Sequence, residues 1–531
     1  MLSAVCGFPA LAMAQTAEGS PAAISFDFAG EMGADGWKKT KMAEIETSAE
    51  SLRYTGAGWD AKLYRRVTLA AGNYTISGRA RGVTALQLRR TWDRDEKPLV
   101  NLNLTREDWR TDWRQFETDG GDFTLVISFG AAEETKGEIK WLKIEQAPVL
   151  PDVGIPDVAA LEKERPSPEI VRGFQTGGSS DRANFAAMRE LGANVVRLQI
   201  NPGKSMKEGK IGLLEAMPRA LDLLEAQVKA AQAEGLKCIP TLFGPIVDGK
   251  PNTHEFWDHP DLEKNFCRVW EMIVERLAPY RESIWAYDLF NEPLDWGQMP
   301  YAPRQWRTLA IAGIKAIRAI DKDAWVIYET GPGGLSWGFG GLKPLPDTHV
   351  IYGAHYYSPH EFTHQGVSNI AGTDLAEAMK KINVRYPGDV NGRFWDMGEI
   401  EKDLATTAAF QKKYRVPIFF GEFSVIKWAP KEDAVNYLTD VIDIFEANGW
   451  SWCYHAFREW PGWSFEFDES FWKPGMPMPK PAENETERAK VVKAGLGKNP
   501  PAAPRSGAAD MPEPGRDAPA PAKAGAAPNR P

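Results

Sequence analysis

Between Val171 and Phe457 eight short apolar runs recur: Val171–Gln175, Val195–Ile200, Cys238–Phe243, Ile284–Phe290, Trp325–Glu329, Val350–His355, Val416–Phe420 and Trp450–Tyr454. Most are followed by a stretch with helical periodicity. Runs of this length without polar alternation read as strands buried on both faces, the situation of a parallel sheet covered by its own crossover helices. Amphipathic patterns fit between them. Leu221, Leu224 and Val228 share a face that closes at Gly235, and Ala434, Tyr437, Leu438, Val441, Ile442 and Phe445 share one that closes at Gly449. Eight such units over about 300 residues match a closed (β/α)8 TIM barrel.

The chain is 531 residues long, and at roughly 150 residues per domain it has room for more than the barrel. From 24 to 147 the pattern changes to alternating apolar and polar positions, as in Lys62–Val67, Tyr74–Gly78, Phe123–Phe129 and Ile139–Ile144, separated by Gly, Asn and Asp turns. That period of two predicts an all-β antiparallel sandwich. Through the runs "GNYTISGRARG" and "GEIKWLKIEQ" it resembles the jelly-roll modules that bind carbohydrate beside bacterial glycosidases. Residues 148–168 are Pro-rich and suit a linker, and 169–498 hold the barrel. Residues 499–531, mostly Pro, Ala, Gly and isolated charges, predict a disordered tail. The apolar stretch Leu2–Ala14 closes on a small-x-small pattern and is too short to span a bilayer, so residues 1–14 read as a signal peptide, although the usual basic start is missing. The expected location is secreted or periplasmic.

Several classes are excluded by composition. With 63 Lys and Arg against 72 Asp and Glu, a formal charge of −9, the balance argues against a basic surface for nucleic acid. No later apolar run is long enough for a membrane span. The cysteines, Cys6, Cys238, Cys267 and Cys453, form no C-x-x-C pair and point to neither a metal site nor a disulfide framework. Twenty Trp are more suggestive, since flat aromatic faces either fill cores or stack on sugar rings.

Active residues of such a barrel sit at the C-terminal ends of its strands. The fourth run ends "DLFNEP" and the seventh "PIFFGEFS", bringing Glu292 and Glu422, 130 positions apart, to one mouth. Glycoside hydrolysis uses such a pair: one carboxyl protonates the departing oxygen and the other attacks the anomeric carbon or activates water. Glu329 and Glu399 compete as carboxylates and are read as structural.

Taken with "RGFQTGG", "NVVRLQI", "LFNEP", "HYYSP" and "VPIFFGEFS", residues 169 to 470 resemble family 5 of the glycoside hydrolases, cellulase-like members of the retaining β/α-barrel clan. The resemblance implies that Glu292 is the general acid/base and Glu422 the nucleophile. Asn291 beside the acid suits a hydrogen bond to the sugar 2-hydroxyl. Arg197 suits a cation that keeps Glu422 ionised. His355 and Tyr357, two apart on an extended segment, point the same way, and the resemblance assigns them to serve the acid/base and the nucleophile respectively.

Two departures from the family stand out. Its usual third-strand His is absent from Pro240–Pro245, and His455 stands where many members carry a Trp that floors the reacting sugar. Alternation places Ser451, Cys453 and His455 inside the barrel and Trp450, Trp452 and Tyr454 on the helix side, with Trp452 as the sugar platform if the register slips by one. Of the loop tryptophans Trp257, Trp296, Trp337, Trp395, Trp428, Trp460 and Trp463, two or three are expected to stack on sugar, with Trp428 and Trp460 nearest the chemistry in sequence.

The expected function is retaining hydrolysis of a polysaccharide or oligosaccharide, β-1,4-glucan first and β-mannan or another β-glucan behind it, with no metal or organic cofactor. The alternatives are a glycan-binding barrel without catalysis and a transglycosylase.

Overall fold

The computed structural model describes residues 23–28, 36–56, 61–82, 85–91, 98–104, 106–128, 135–146, 167–177, 181–247, 250–367, 383–473, 475–479 and 481–500. The signal-peptide reading, nearly all of the linker and the tail beyond residue 500 lie outside them. The chain divides into two compact units, the first drawn from residues before Pro151 together with Gly297–Met299.

That first unit is all antiparallel. Its strands are β1 (Ala23–Asp27), β2 (Lys38–Lys39), β3 (Ala43–Thr47), β4 (Leu52–Gly56), β5 (Lys62–Leu69), β6 (Gly72–Gly82), β7 (Ala85–Arg89), β8 (Val100–Asn103), β9 (Arg106–Thr118), β10 (Gly121–Ser128) and β11 (Thr135–Gln146). One sheet runs β3-β4-β11-β6-β9 with β1 also on β11, and the other runs β2-β5-β10-β7-β8. A register shift between Ile139 and Trp141 marks where β11 stops pairing with β4 and begins pairing with β1. Every second side chain goes inward, so Leu63, Ile76, Leu86, Leu125, Ile127, Ile139 and Leu142 form one core.

The second unit closes as a parallel barrel of β12 (Arg172–Thr176), β13 (Val195–Ile200), β14 (Lys237–Leu242), β15 (Tyr287–Asp288), β16 (Val326–Glu329), β17 (Val350–Tyr356), β20 (Ile418–Phe423) and β21 (Ser451–Tyr454), with a short hairpin, β18 (Gly388–Val390) and β19 (Arg393–Trp395), inserted before β20. All eight apolar runs supply a strand. The two patterned helices span Leu213–Ala233 and Lys431–Ala447, and Gly235 and Gly449 follow them at φ 75° and 66°, the left-handed turn that a glycine allows.

Inside the barrel the filling changes character along the strands. At the N-terminal end Val171, Val195, Ile239, Ile327, Ile351, Phe419 and Cys453 form an apolar plug. One layer higher stand Arg197, Asp288 and Glu329, nearly or wholly inaccessible. A helix over Glu487–Leu496 follows the last strand, and Asn499, the first residue of the range read as a tail, donates to the backbone oxygens of Arg172 and Gly192.

Candidate active site

Alternation along β20 sends Phe419 into the barrel and Phe420 toward the helices, which alone would send Glu422 outward. The register between β17 and β20 shifts by one between Ala354 and His355, so that His355 pairs with Glu422. Gly421 is the extra residue of this bulge, and the shift turns Glu422 into the barrel mouth. A Cβ at Gly421 would come within 2.9 Å of His355 Nε2 and 3.3 Å of Arg197 Nε, so only glycine fits.

Glu292 sits just beyond β15 in the left-handed region, φ 50°, a conformation that costs a non-glycine residue energy and persists only where neighbours hold it. Its backbone N–H donates to Glu329 Oε2 at 2.8 Å, and its Oε1 lies 3.1 Å from His355 Nδ1. One carboxylate oxygen each from Glu292 and Glu422 and a ring nitrogen of His355 all lie within 4.8 Å of one another.

Beneath this group lies Arg197, wholly buried on β13. It donates to Asp288 Oδ2 at 2.9 Å, Glu329 Oε1 at 2.6 Å, Glu422 Oε1 at 2.9 Å, Asn291 Oδ1 at 3.1 Å and Gln175 Oε1. Its planar fork of five N–H groups suits this many acceptors. On the other side of Glu422, Tyr357 donates its hydroxyl to Oε2 at 3.0 Å, and His455 Nδ1 lies 3.1 Å from the same hydroxyl.

These contacts fix the charges. Burial by itself would raise the Glu422 carboxyl, but His355, His455 and Arg197, with the Tyr357 hydrogen bond, hold it far below the usual carboxylate range. Burial opposes charge on His355 too, yet Glu329, Glu422 and the bond to Glu292 keep it protonated well above its ordinary value. Asp288 goes the other way, pushed up to about 7 by burial and by Glu329 despite Arg197.

Residues 164–459, over half of the chain, match the family model for Cellulase (glycosyl hydrolase family 5). The chain belongs to this family. Among curated relatives it is 28% identical to Endoglucanase C of Acetivibrio thermocellus over 217 residues, which is 36% of this chain and 59% of that protein. It is 23% identical to Cellodextrinase A of Ruminococcus flavefaciens over 316 residues, 55% of this chain and 86% of the relative. The chain thus spans less than two thirds of the length of the endoglucanase it matches. A solved endoglucanase structure aligns with 62% of this chain and 97% of its own at 18% identity and a TM-score of 0.46.

As a member of glycosyl hydrolase family 5, the chain brings Glu292, Glu422, Arg197, Asn291, His355, Tyr357 and His455 together in one mouth. At the third strand, where the sequence lacks the family's usual His, Phe243 lies against the Arg197 guanidinium, 5.2 Å from ring centre to charge. Glu292, His355 and Glu422 are close enough for one cation to touch all three, but Arg197 and Tyr357 already occupy both oxygens of Glu422, and a fixed guanidinium in the same cluster repels a second cation.

The expectations for tryptophan need correcting. Trp452 is fully buried on the helix side of β21, where Nε1 donates to Glu446 Oε1 at 2.9 Å; the register did not slip, and it is no sugar platform. Trp428 is also buried, its Nε1 donating to the Gln365 backbone oxygen at 2.8 Å while its ring packs on Phe471. Trp460 is half-buried and packs against Trp428, Trp463 and Trp472, one ring removed from the site. Trp463 instead lies beside both Tyr357 and His455, with ring centres 6.1 and 5.9 Å away. Trp296 and Trp337 are the exposed loop tryptophans among the seven.

The sequence patterns point to neither Asp288 nor Gln175, and they leave Glu329 a structural carboxylate without its link to Glu292. Each ends or nears the end of a strand at an inward position, which was the available signal. Glu399 pairs with Arg393 and Lys402 and has no part in this cluster.

Proposed function

We propose that this chain is a retaining β-glycoside hydrolase acting on a β-linked glycan, β-1,4-glucan first, by double displacement. A Glu422 oxygen attacks the anomeric carbon while the bond to the leaving oxygen breaks and Glu292 delivers its proton there. Glu292, now a carboxylate, takes a proton from water; the water oxygen attacks the same carbon and Glu422 departs with the bonding electrons. Arg197 holds Glu422 ionised for the first step. Because Arg197 engages Asn291 Oδ1, the amide NH2 is the group Asn291 turns to a sugar hydroxyl.

The observation that carries this reading is that an oxygen of Glu292 and an oxygen of Glu422 lie within 4.8 Å of each other, which leaves no room for a water held between two separated carboxyls. Retaining enzymes place them about 5–5.5 Å apart, whereas inverting ones leave about 6.5–9.5 Å for an intervening water. Relatives named for endoglucanase and cellodextrinase activity support the choice of a β-glucan. Export, with loss of the leading apolar stretch, and glycan binding by the sandwich belong to the same reading.

The test is hydrolysis of a soluble β-1,4-glucan followed by proton NMR of the newly formed reducing end. A β anomer appearing first supports the reading, and an α anomer first sinks it. Silence toward glucans and mannans alike, with the protein folded, transfers the weight to a non-catalytic glycan binder.

A further inference from the structure

His455 is connected to Glu422 by a route that a mere sugar contact does not require. The Tyr357 hydroxyl lies between them, 3.0 Å from Glu422 Oε2 and 3.1 Å from His455 Nδ1. Donor accounting then fixes the imidazole. An ionised carboxylate only accepts, and a phenol has one proton, so Tyr357 gives that proton to Glu422. Its oxygen is left to accept, and the group facing it must be an N–H on Nδ1. The other ring nitrogen, Nε2, stands 3.7 Å from Glu459 Oε2, beyond direct hydrogen-bond reach, while Gln199 donates to Glu459 Oε1 at 3.0 Å. The proton on Nδ1 is therefore fixed at Tyr357 and not at the rim.

Packing leaves these rings little freedom. The His455 backbone N–H donates to the Phe423 oxygen at 3.1 Å. Trp463 flanks both rings, and His364 meets the Tyr357 ring edge-on with centres 4.9 Å apart. In the opposite tautomer Nδ1 would present a lone pair and compete with Glu422 for the one phenolic proton. Glu422 would then keep Arg197 on Oε1 and lose its restraint on Oε2.

We propose that His455 is a positioning residue: its Nδ1–H turns the Tyr357 hydroxyl so that the phenolic proton stays on Glu422, holding the carboxylate plane for attack. The inference rests on the reading of Glu422 as nucleophile and adds the source of its orientation.

Two substitutions of similar size separate this role from others. The amide of Asn reaches about as far as Nδ1, and that of Gln about as far as Nε2. The probe is an activated aryl fluorocellobioside, whose fluorine beside the anomeric centre slows release of the covalent sugar, with labelling of Glu422 followed by mass spectrometry. Steady-state kinetics on the matching unfluorinated aryl glycoside accompany it, and thermal melting confirms that each variant is folded. His455→Gln should slow labelling and kcat about ten- to a hundredfold, the order of loss that follows misplacement of a reacting group. KM should stay within about twofold, and His455→Asn should recover most of the loss. In a Tyr357→Phe background, His455→Gln should add little further, because both act through one hydroxyl.

Recovery by Gln in place of Asn, a change confined to KM, or independent multiplication of the Tyr357 and His455 effects would each overturn the proposal in favour of sugar contact or packing. Wild-type protein that turns over the glycoside but is labelled at a residue other than Glu422 would remove the nucleophile reading itself, and the proposal with it.

Discussion

The carboxylate of Glu329 accepts the backbone N–H of Glu292 at 2.8 Å, clamping the left-handed turn from which Glu292 reaches into the barrel mouth. Its other oxygen lies 2.6 Å from the Arg197 guanidinium. Glu329→Ala should therefore act twice. Removing a buried partner of a paired charge costs about 3–5 kcal/mol, and kcat should fall because Glu292 loses its anchor. Urea unfolding and aryl-glycoside kinetics read the two effects separately, and a stable variant of unchanged kcat would deny Glu329 both roles.

Glu292→Ala should separate substrates by their leaving groups. An activated aryl glycoside needs little protonation, so its turnover should fall far less than hydrolysis of glucan, where loss of general acid catalysis costs about 10²–10⁴-fold. Equal losses on both would count against Glu292 as the acid.

Gly421→Ala places a methyl 2.9 Å from His355 Nε2 and 3.3 Å from Arg197 Nε. Neither neighbour is free to retreat, so the expected cost is about 1–3 kcal/mol of stability, as for other overpacked interiors, together with reduced kcat. A crystal structure or chemical-denaturation curve of the variant indistinguishable from wild type would refute the close approach.

Stability should depend on pH with opposite signs for Glu422 and for the pair His355 and Asp288. Glu422 is held below its ordinary value, so its contribution is complete above about pH 4.5 and drains away as pH falls through the depressed folded value. His355 is raised, so its contribution is complete below about 6.5 and is lost as pH rises through the folded value; Asp288, raised to about 7, adds a loss of the same sign between about 4 and 7. Unfolding free energies across pH should show a flatter acid limb for Glu422→Gln and a flatter alkaline limb for His355→Asn. Slopes unchanged by either variant would contradict these charge states.

Trp428 and Trp337 should separate packing from exposure. Trp428 is buried, so Trp428→Ala should lose about 3–5 kcal/mol of stability, as large core truncations do. Trp337 is 41% exposed, and Trp337→Ala should leave stability within about 0.5 kcal/mol. Affinity electrophoresis in glucan gels then shows whether Trp337 meets the chain. Retarded mobility lost only in Trp428→Ala, with stability intact, would reverse the assignment.

Which parts of this architecture the sequence reveals follows from how local their cause is. The eight strands are legible because burial on both faces needs an unbroken apolar run, and His455 is legible because alternation carries from Ser451 through Cys453. Glu422 is legible only through its motif, since the same alternation sends it outward until the bulge at Gly421 intervenes. The ties from Arg197 to Asp288 and Glu329 span 91 and 132 positions and leave no periodic trace. Trp452 is legible on the helix side by the same alternation, whereas Trp428 is not legible, because proximity in sequence to Glu422 says nothing about which side of a loop an indole packs on.

Arg197 joins five of the eight barrel strands, holding side chains from β12, β15, β16 and β20 around its own place on β13. Its last partner, Glu422, is synthesised more than two hundred residues after it. A barrel caught without β20 would bury a cation against an incomplete ring of counter-charges, and one without β13 would bury acids against each other. Such half-assembled forms are penalised by electrostatics as well as by exposed apolar edges. The same arginine that binds Glu422 thus ties completion of the barrel to completion of its ring of counter-charges.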